Sequence, residues 1–159
     1  MSRGFFPAHS MGGITYHIPC PSCGRIHEIT TGVSMLCTPP ALTVSSLHNG
    51  GRPLLEYLVG TKRLRTQTFS LLDQGYALDP GYGYRPHYCP RCKRILTRFH
   101  FTLTSPDGQS WEPDYRCWRC RGGLTCIMQD SFTDLEILCP CGTVFHPDPA
   151  QDPAPEEWS

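Results

Sequence analysis

Four close pairs of cysteine constrain this chain more than any other feature. They read Cys20-Pro21-Ser22-Cys23, Cys89-Pro90-Arg91-Cys92, Cys117-Trp118-Arg119-Cys120 and Cys139-Pro140-Cys141, with Cys37 and Cys126 standing apart. A C-x-x-C turn at the end of a hairpin aims two sulfurs at one point while nearby backbone N–H groups satisfy them. Two such knuckles complete a tetrahedral four-thiolate site, so four knuckles supply two. Proline after the first cysteine of three pairs shapes the tight turn. Gly24 and Gly142 follow two of the pairs, where a positive φ is needed.

Composition explains why such staples are needed. The 159 residues include 15 Gly and 16 Pro, and few long apolar periodic runs. A chain of that kind builds only a small core, and small domains recruit disulfides or metals to compensate. No apolar run reaches membrane-span length, so no membrane partner is expected. The first residues lack a signal-length apolar stretch, which leads to a cytoplasmic expectation. In that reducing compartment, paired cysteines at short spacing favour metal over disulfide. Fourteen basic and fourteen acidic residues cancel, so no global field draws the chain to nucleic acid.

The segments beside the knuckles alternate as strands do. Residues 14–18 and 26–31 flank the first pair, and 84–88 and 95–104 flank the second. Ser105-Pro106-Asp107-Gly108 is a turn signal, and 111–116 returns to the third pair. Residues 124–128 and 135–138 form an expected hairpin leading to the fourth. Residues 38–83 differ: loops bracket Leu54, Leu55, Leu58, Leu64, Phe69, Leu71 and Leu72, which suit one or two short helices. The Pro- and acid-rich tail, 147–159, reads as disordered.

The knuckles Cys20-Pro21-Ser22-Cys23-Gly24 and Cys89-Pro90-Arg91-Cys92-Lys93 resemble those of zinc ribbons. Over residues 14–104 the long insert between two knuckles is similar to bacterial CpXC-domain proteins, although this chain carries a second pair of knuckles. The resemblance implies a mainly β, small, metal-stabilised fold: two zinc-ribbon-like units with a loop and short-helix insertion. The corresponding divisions are an N-terminal arm (1–13), a split ribbon (14–104, insertion 38–83), a second ribbon (105–146) and the tail.

Ligands for two zinc ions are then Cys20, Cys23, Cys89, Cys92, Cys117, Cys120, Cys139 and Cys141. Iron in a rubredoxin-like site is the alternative, since it takes the same thiolates. Sequential pairing is the favoured scheme: Cys20/Cys23 with Cys89/Cys92, and Cys117/Cys120 with Cys139/Cys141 across 18 residues. The nested alternative joins Cys89/Cys92 with Cys117/Cys120 across 24 residues. That spacing resembles the transcription-elongation type of zinc ribbon, whose acidic hairpin tip assists RNA cleavage. Here the tip holds only Asp107, with Glu112 and Asp114 farther along. Cys37 and Cys126 read as spare small residues. His27 and His146 read as exposed or as lying beside the sites.

Four-thiolate coordination leaves no position for water, so both sites read as structural. Pro19-Cys20-Pro21-Ser22-Cys23 matches half of the zinc-deaminase signature, but the upstream H-x-E half is missing. No other catalytic signature is present, so an enzyme is the least favoured class. Basic residues do cluster at Lys62-Arg63-Leu64-Arg65 and around two knuckles. Arg91, Lys93, Arg94, Arg116 and Arg119, interleaved with Tyr88, Phe99, Trp111, Tyr115 and Trp118, are candidates for a phosphate-contacting and base-stacking face. The expected role is a structural or adaptor module contacting nucleic acid. A protein-interaction element of a bacterial or phage assembly is the alternative.

Overall fold

The computed structural model describes residues 12–33, 52–127, 133–148 and 156–158. The architecture is mainly β. Strands β1 (Gly12–Pro19) and β2 (Ile26–Val33) form an antiparallel hairpin, paired from Gly12↔Val33 to Pro19↔Ile26. Strands β4 (Gly83–Cys89) and β5 (Arg94–His100) form a second hairpin, paired from Gly83↔His100 to Cys89↔Arg94. A single pairing, Gly32↔Tyr84, joins the two hairpins into one sheet.

Between them lie α1 (Arg52–Val59) and α2 (Lys62–Asp73), where the leucine spacing leads one to expect one or two short helices. Gly60, at φ +77°, turns the chain between them. Their apolar faces supply Leu55, Val59, Leu64, Phe69 and Leu72 to the larger core. There they meet Phe99, Phe101, Leu103 and Tyr115. Within α2, Thr68 is buried without penalty because its hydroxyl donates to the Leu64 carbonyl, 2.7 Å away. The two helices thus supply half of the buried residues of the larger core.

A three-stranded sheet follows the order β3 (Ala77–Leu78), β6 (Leu103–Thr104), β7 (Ser110–Trp111). The expected turn at Ser105–Gly108 closes β6 onto β7. Ser105 N–H donates to the Gln109 carbonyl at 2.7 Å, and Gly108 takes φ +94°. Farther on, β9 (Ile137–Leu138) pairs with β10 (Val144–Phe145). A smaller core of Ile18, Ile29, Ile137 and Phe145 includes Cys20 and Cys139.

Two expectations are corrected. Among the described residues, 124–127 do not pair with 135–138. Instead β8 (Thr125–Cys126) joins β4, with His87↔Cys126 and Tyr88↔Thr125 in register. Part of the intervening turn lies outside the described residues. The tail is also not structureless throughout, since β11 (Glu156–Trp158) pairs antiparallel with Gly13–Thr15 of β1. That pairing covers backbone groups an edge strand leaves open. No helix among the described residues is long and apolar enough to cross a membrane.

Candidate metal centres and the surface around them

Each knuckle closes a short antiparallel turn. The first joins β1 to β2, the second β4 to β5, and the fourth β9 to β10; the third sits inside the Arg116↔Gly123 bridge. A shared hydrogen-bond pattern shapes them. Cys20 N–H donates to the Arg25 carbonyl and Cys117 N–H to that of Gly122, both at 2.8 Å. In return Gly24 donates to the Cys20 carbonyl at 2.9 Å and Arg121 to that of Cys117 at 2.8 Å. The residue after the second cysteine is left-handed in all four knuckles: Gly24 (φ +77°), Lys93 (+53°), Arg121 (+62°) and Gly142 (+97°). The two glycines are legible in the sequence, whereas Lys93 and Arg121 are not, because lysine and arginine carry no such preference.

The eight expected cysteines fall into two groups, Cys20/Cys23/Cys139/Cys141 and Cys89/Cys92/Cys117/Cys120. This is the nested arrangement, so the favoured sequential pairing is corrected. Packing decides the partners. Leu138 N–H donates to the Lys93 carbonyl at 2.9 Å, and Tyr88 Oη donates to the Glu136 carbonyl at 2.7 Å. These contacts dock the β9–β10 turn beside the second hairpin, where it reaches the first knuckle.

In the first group Cys20 Sγ lies 3.7 Å from Cys141 Sγ, and Cys23 Sγ 3.6 Å from Cys139 Sγ. In the second, Cys89 lies 3.5 Å from Cys120, and Cys117 3.8 Å from Cys92. A disulfide would require about 2 Å. Four sulfurs around one ion, each at about 2.3 Å, stand about 3.8 Å apart along the edges of a tetrahedron. Both groups are therefore positioned to hold a metal ion. In each knuckle the first cysteine is buried and the second is more exposed.

Backbone donors prepare the sulfurs. Cys92 N–H lies 3.4 Å from Cys89 Sγ, and Gly122 N–H 3.3 Å from Cys120 Sγ. The N–H of Cys120 draws the Cys117 thiol down to about 6. The Thr143 hydroxyl, 3.3 Å from its sulfur, does the same for Cys141, also to about 6. Burial among the other sulfurs pushes Cys92 up to about 12. Four adjacent negative charges repel, and a cation is what lets all of them ionise.

The remaining candidates fall as follows. His27 packs edge-on against Phe145, with centroids 5.3 Å apart, and His146 Nδ1 meets the Leu135 carbonyl at 2.8 Å. Neither belongs to a cysteine group. Cys37 lies outside the described residues. Among the basic candidates, Lys93 is tied to Glu136 by an ion pair, and Arg116 lies 3.6 Å from Asp114. Arg91 lies against Gly122. Arg94 and Arg119 flank Trp118, with guanidinium carbons 4.9 and 5.5 Å from its ring. Of the interleaved aromatics, Phe99 and Tyr115 are buried in the core, while Trp118 is 63% exposed. Beside it a cleft of about 630 Å³ runs between the two cysteine groups, lined among others by Arg25, His27, Glu28, Arg94 and Arg119. Arg94 Nη1 is buried with no hydrogen-bond partner among the described residues.

A third cluster escapes the sequence reading. His87, His100 and Cys126 bring one ligand atom each to within 4.8 Å of one another. No short spacing announces it, because its members come from three strands and meet only through sheet register. Burial, together with the charge of Arg85, holds both imidazoles down to about 4, so they are neutral at physiological pH.

No protein-family model, curated protein or solved structure matches this chain. The likeness to zinc ribbons is therefore one of knuckle geometry alone.

Proposed function

We propose that the chain is a zinc-stabilised structural or adaptor module that contacts single-stranded nucleic acid through Trp118 and its flanking arginines. The sulfur–sulfur edges of 3.5–3.8 Å in both cysteine groups carry the metal half of this reading. Zinc fits closed four-thiolate sites, and such sites contribute directly to folding. Rubredoxin-like iron uses the same donors. Elemental analysis of purified protein separates them: zinc at both cysteine groups supports the reading, and iron redirects it to electron transfer.

The contact surface rests on an exposed indole with two guanidinium groups close to it, those of Arg94 and Arg119. A base stacks on such a ring by its π-face, which every base possesses. Arg25, Arg94 and Arg119 line the adjoining cleft, and guanidinium groups are donors suited to phosphate oxygens. Lys93 and Arg116 are engaged by carboxylates and Arg91 lies against Gly122 of the third knuckle, so the proposed face narrows from the five basic residues to Arg94 and Arg119, with Arg25 added. Fluorescence anisotropy of end-labelled single-stranded RNA and DNA during titration with the protein tests it. The expected result is salt-dependent binding that weakens about tenfold or more in Trp118→Ala. Absence of binding at low salt rejects it and leaves the protein-interaction alternative.

A further inference from the structure

We propose that His87, His100 and Cys126 form a third metal site. It would take a borderline divalent ion such as Zn²⁺ or Co²⁺ through two imidazole nitrogens and one thiolate, with the Glu112 carboxylate beside it.

His87 is 1% exposed. Its Nδ1 lies 3.0 Å from the Arg85 carbonyl. A carbonyl only accepts, so Nδ1 carries the proton and Nε2 bears the lone pair. That Nε2 is buried with no hydrogen-bond partner among the described residues. A buried acceptor with no donor is costly, and a cation removes the cost. A backbone carbonyl fixing one imidazole nitrogen while the other points at an ion is the usual arrangement of metal-ligating histidine.

The other two donors stand on the same framework. Cys126 is the direct cross-strand neighbour of His87, so both side chains leave one face of the sheet. His100 comes from β5, with ring centroids 6.4 Å from His87. Around one ion at about 2.0–2.3 Å, nitrogen and sulfur donors stand about 3.3–3.8 Å apart. The 4.8 Å bound on the cluster leaves only a short side-chain adjustment. Glu112 Oε1 lies 3.8 Å from His100 Nε2. Tyr115 covers His87 edge-on, with centroids 5.3 Å apart.

Charge around the cluster is mixed. Arg85 and Arg98 are paired across β4 and β5 on the face that carries His87. The added charge of an ion is offset by Glu112 and by Cys126, whose thiol proton passes to solvent as the metal–sulfur bond forms. Three protein donors leave one coordination position for water or another ligand. The site therefore differs in kind from the closed cysteine groups.

Metal content of the full chain saturated with Zn²⁺ and then freed of excess tests the site, comparing wild type with Cys126→Ser. That substitution leaves all eight knuckle cysteines intact. One fewer zinc per chain in the variant is expected, whatever the occupancy of the knuckle sites. Equal content in the two proteins overturns the proposal. If the variant fails to fold, X-ray absorption at the zinc edge of the wild type decides. Imidazole scattering alongside sulfur supports the site, and a sulfur-only shell overturns it.

Discussion

At the scale of single residues, the knuckles depend on backbone geometry as much as on sulfur. Arg121 holds φ +62° with an exposed side chain. A left-handed residue with a Cβ costs about 1–2 kcal/mol, and glycine escapes most of that cost. Arg121→Gly is therefore expected to stabilise the metal-loaded protein by about 0.5–1 kcal/mol after glycine's larger unfolded-state entropy is counted. Denaturant unfolding of the loaded protein measures this. Its neighbour behaves oppositely. A Cβ at Gly122 would sit 3.3 Å from Cys120 Sγ and 3.3 Å from Arg91 Cδ. Gly122→Ala must push the sulfur or the arginine aside, and the Gly122 N–H that supports Cys120 moves with it. Zinc affinity at the Cys89/Cys92/Cys117/Cys120 group is expected to fall about tenfold, in the range seen for lost support of a ligand. Competition with a chromophoric chelator reads that loss. The sulfurs of this group were legible in the spacing. The left-handed lysine and arginine were not, because nothing in their side chains demands that conformation.

Among elements, the decisive event is how hairpins meet. Strand alternation and turn residues place β1–β2, β4–β5 and the Ser105–Gly108 turn, and leucine spacing places α1 and α2. All are local properties of the chain. The docking of β9–β10 against the second hairpin is not local. It runs through Leu138 N–H to the Lys93 carbonyl and through Tyr88 Oη to the Glu136 carbonyl. Tyr88→Phe removes the second contact and leaves a part-buried carbonyl without its donor. The expected cost is about 0.5–1.5 kcal/mol. Because the β9–β10 turn carries Cys139 and Cys141, this variant should also weaken metal binding at the first group more than at the second. Cobalt titration of single-group variants, reading each thiolate band, distinguishes the two effects. Strand β8 shows the same dependence on assembly. Its two residues could pair with several edges, and joining β4 is what sets Cys126 opposite His87.

For the whole molecule, two cores of unequal size are joined by one sheet and flanked by the cysteine groups. The smaller core consists of Ile18, Ile29, Ile137 and Phe145 around Cys20 and Cys139. It is too small to hold the first and fourth knuckles together alone, whereas the larger core has the helices and Phe99, Phe101 and Leu103. Metal removal by a strong chelator is accordingly expected to abolish the β-sheet circular-dichroism signal in the part built on the smaller core. Helical signal from α1 and α2 should persist longer along a chelator titration. An unchanged spectrum after complete metal removal would defeat the claim that metal is part of the fold. The sequence by itself determined the eight knuckle cysteines, the mainly β character and the presence of short helix between the two hairpins, because each depends on residues close together in the chain. Only the tertiary structure decided that the knuckles pair as nested groups, that Lys93 is occupied by Glu136, and that two histidines and a spare cysteine converge. Those outcomes depend on which surfaces pack together, and that is a property of the assembled cores rather than of any spacing along the chain.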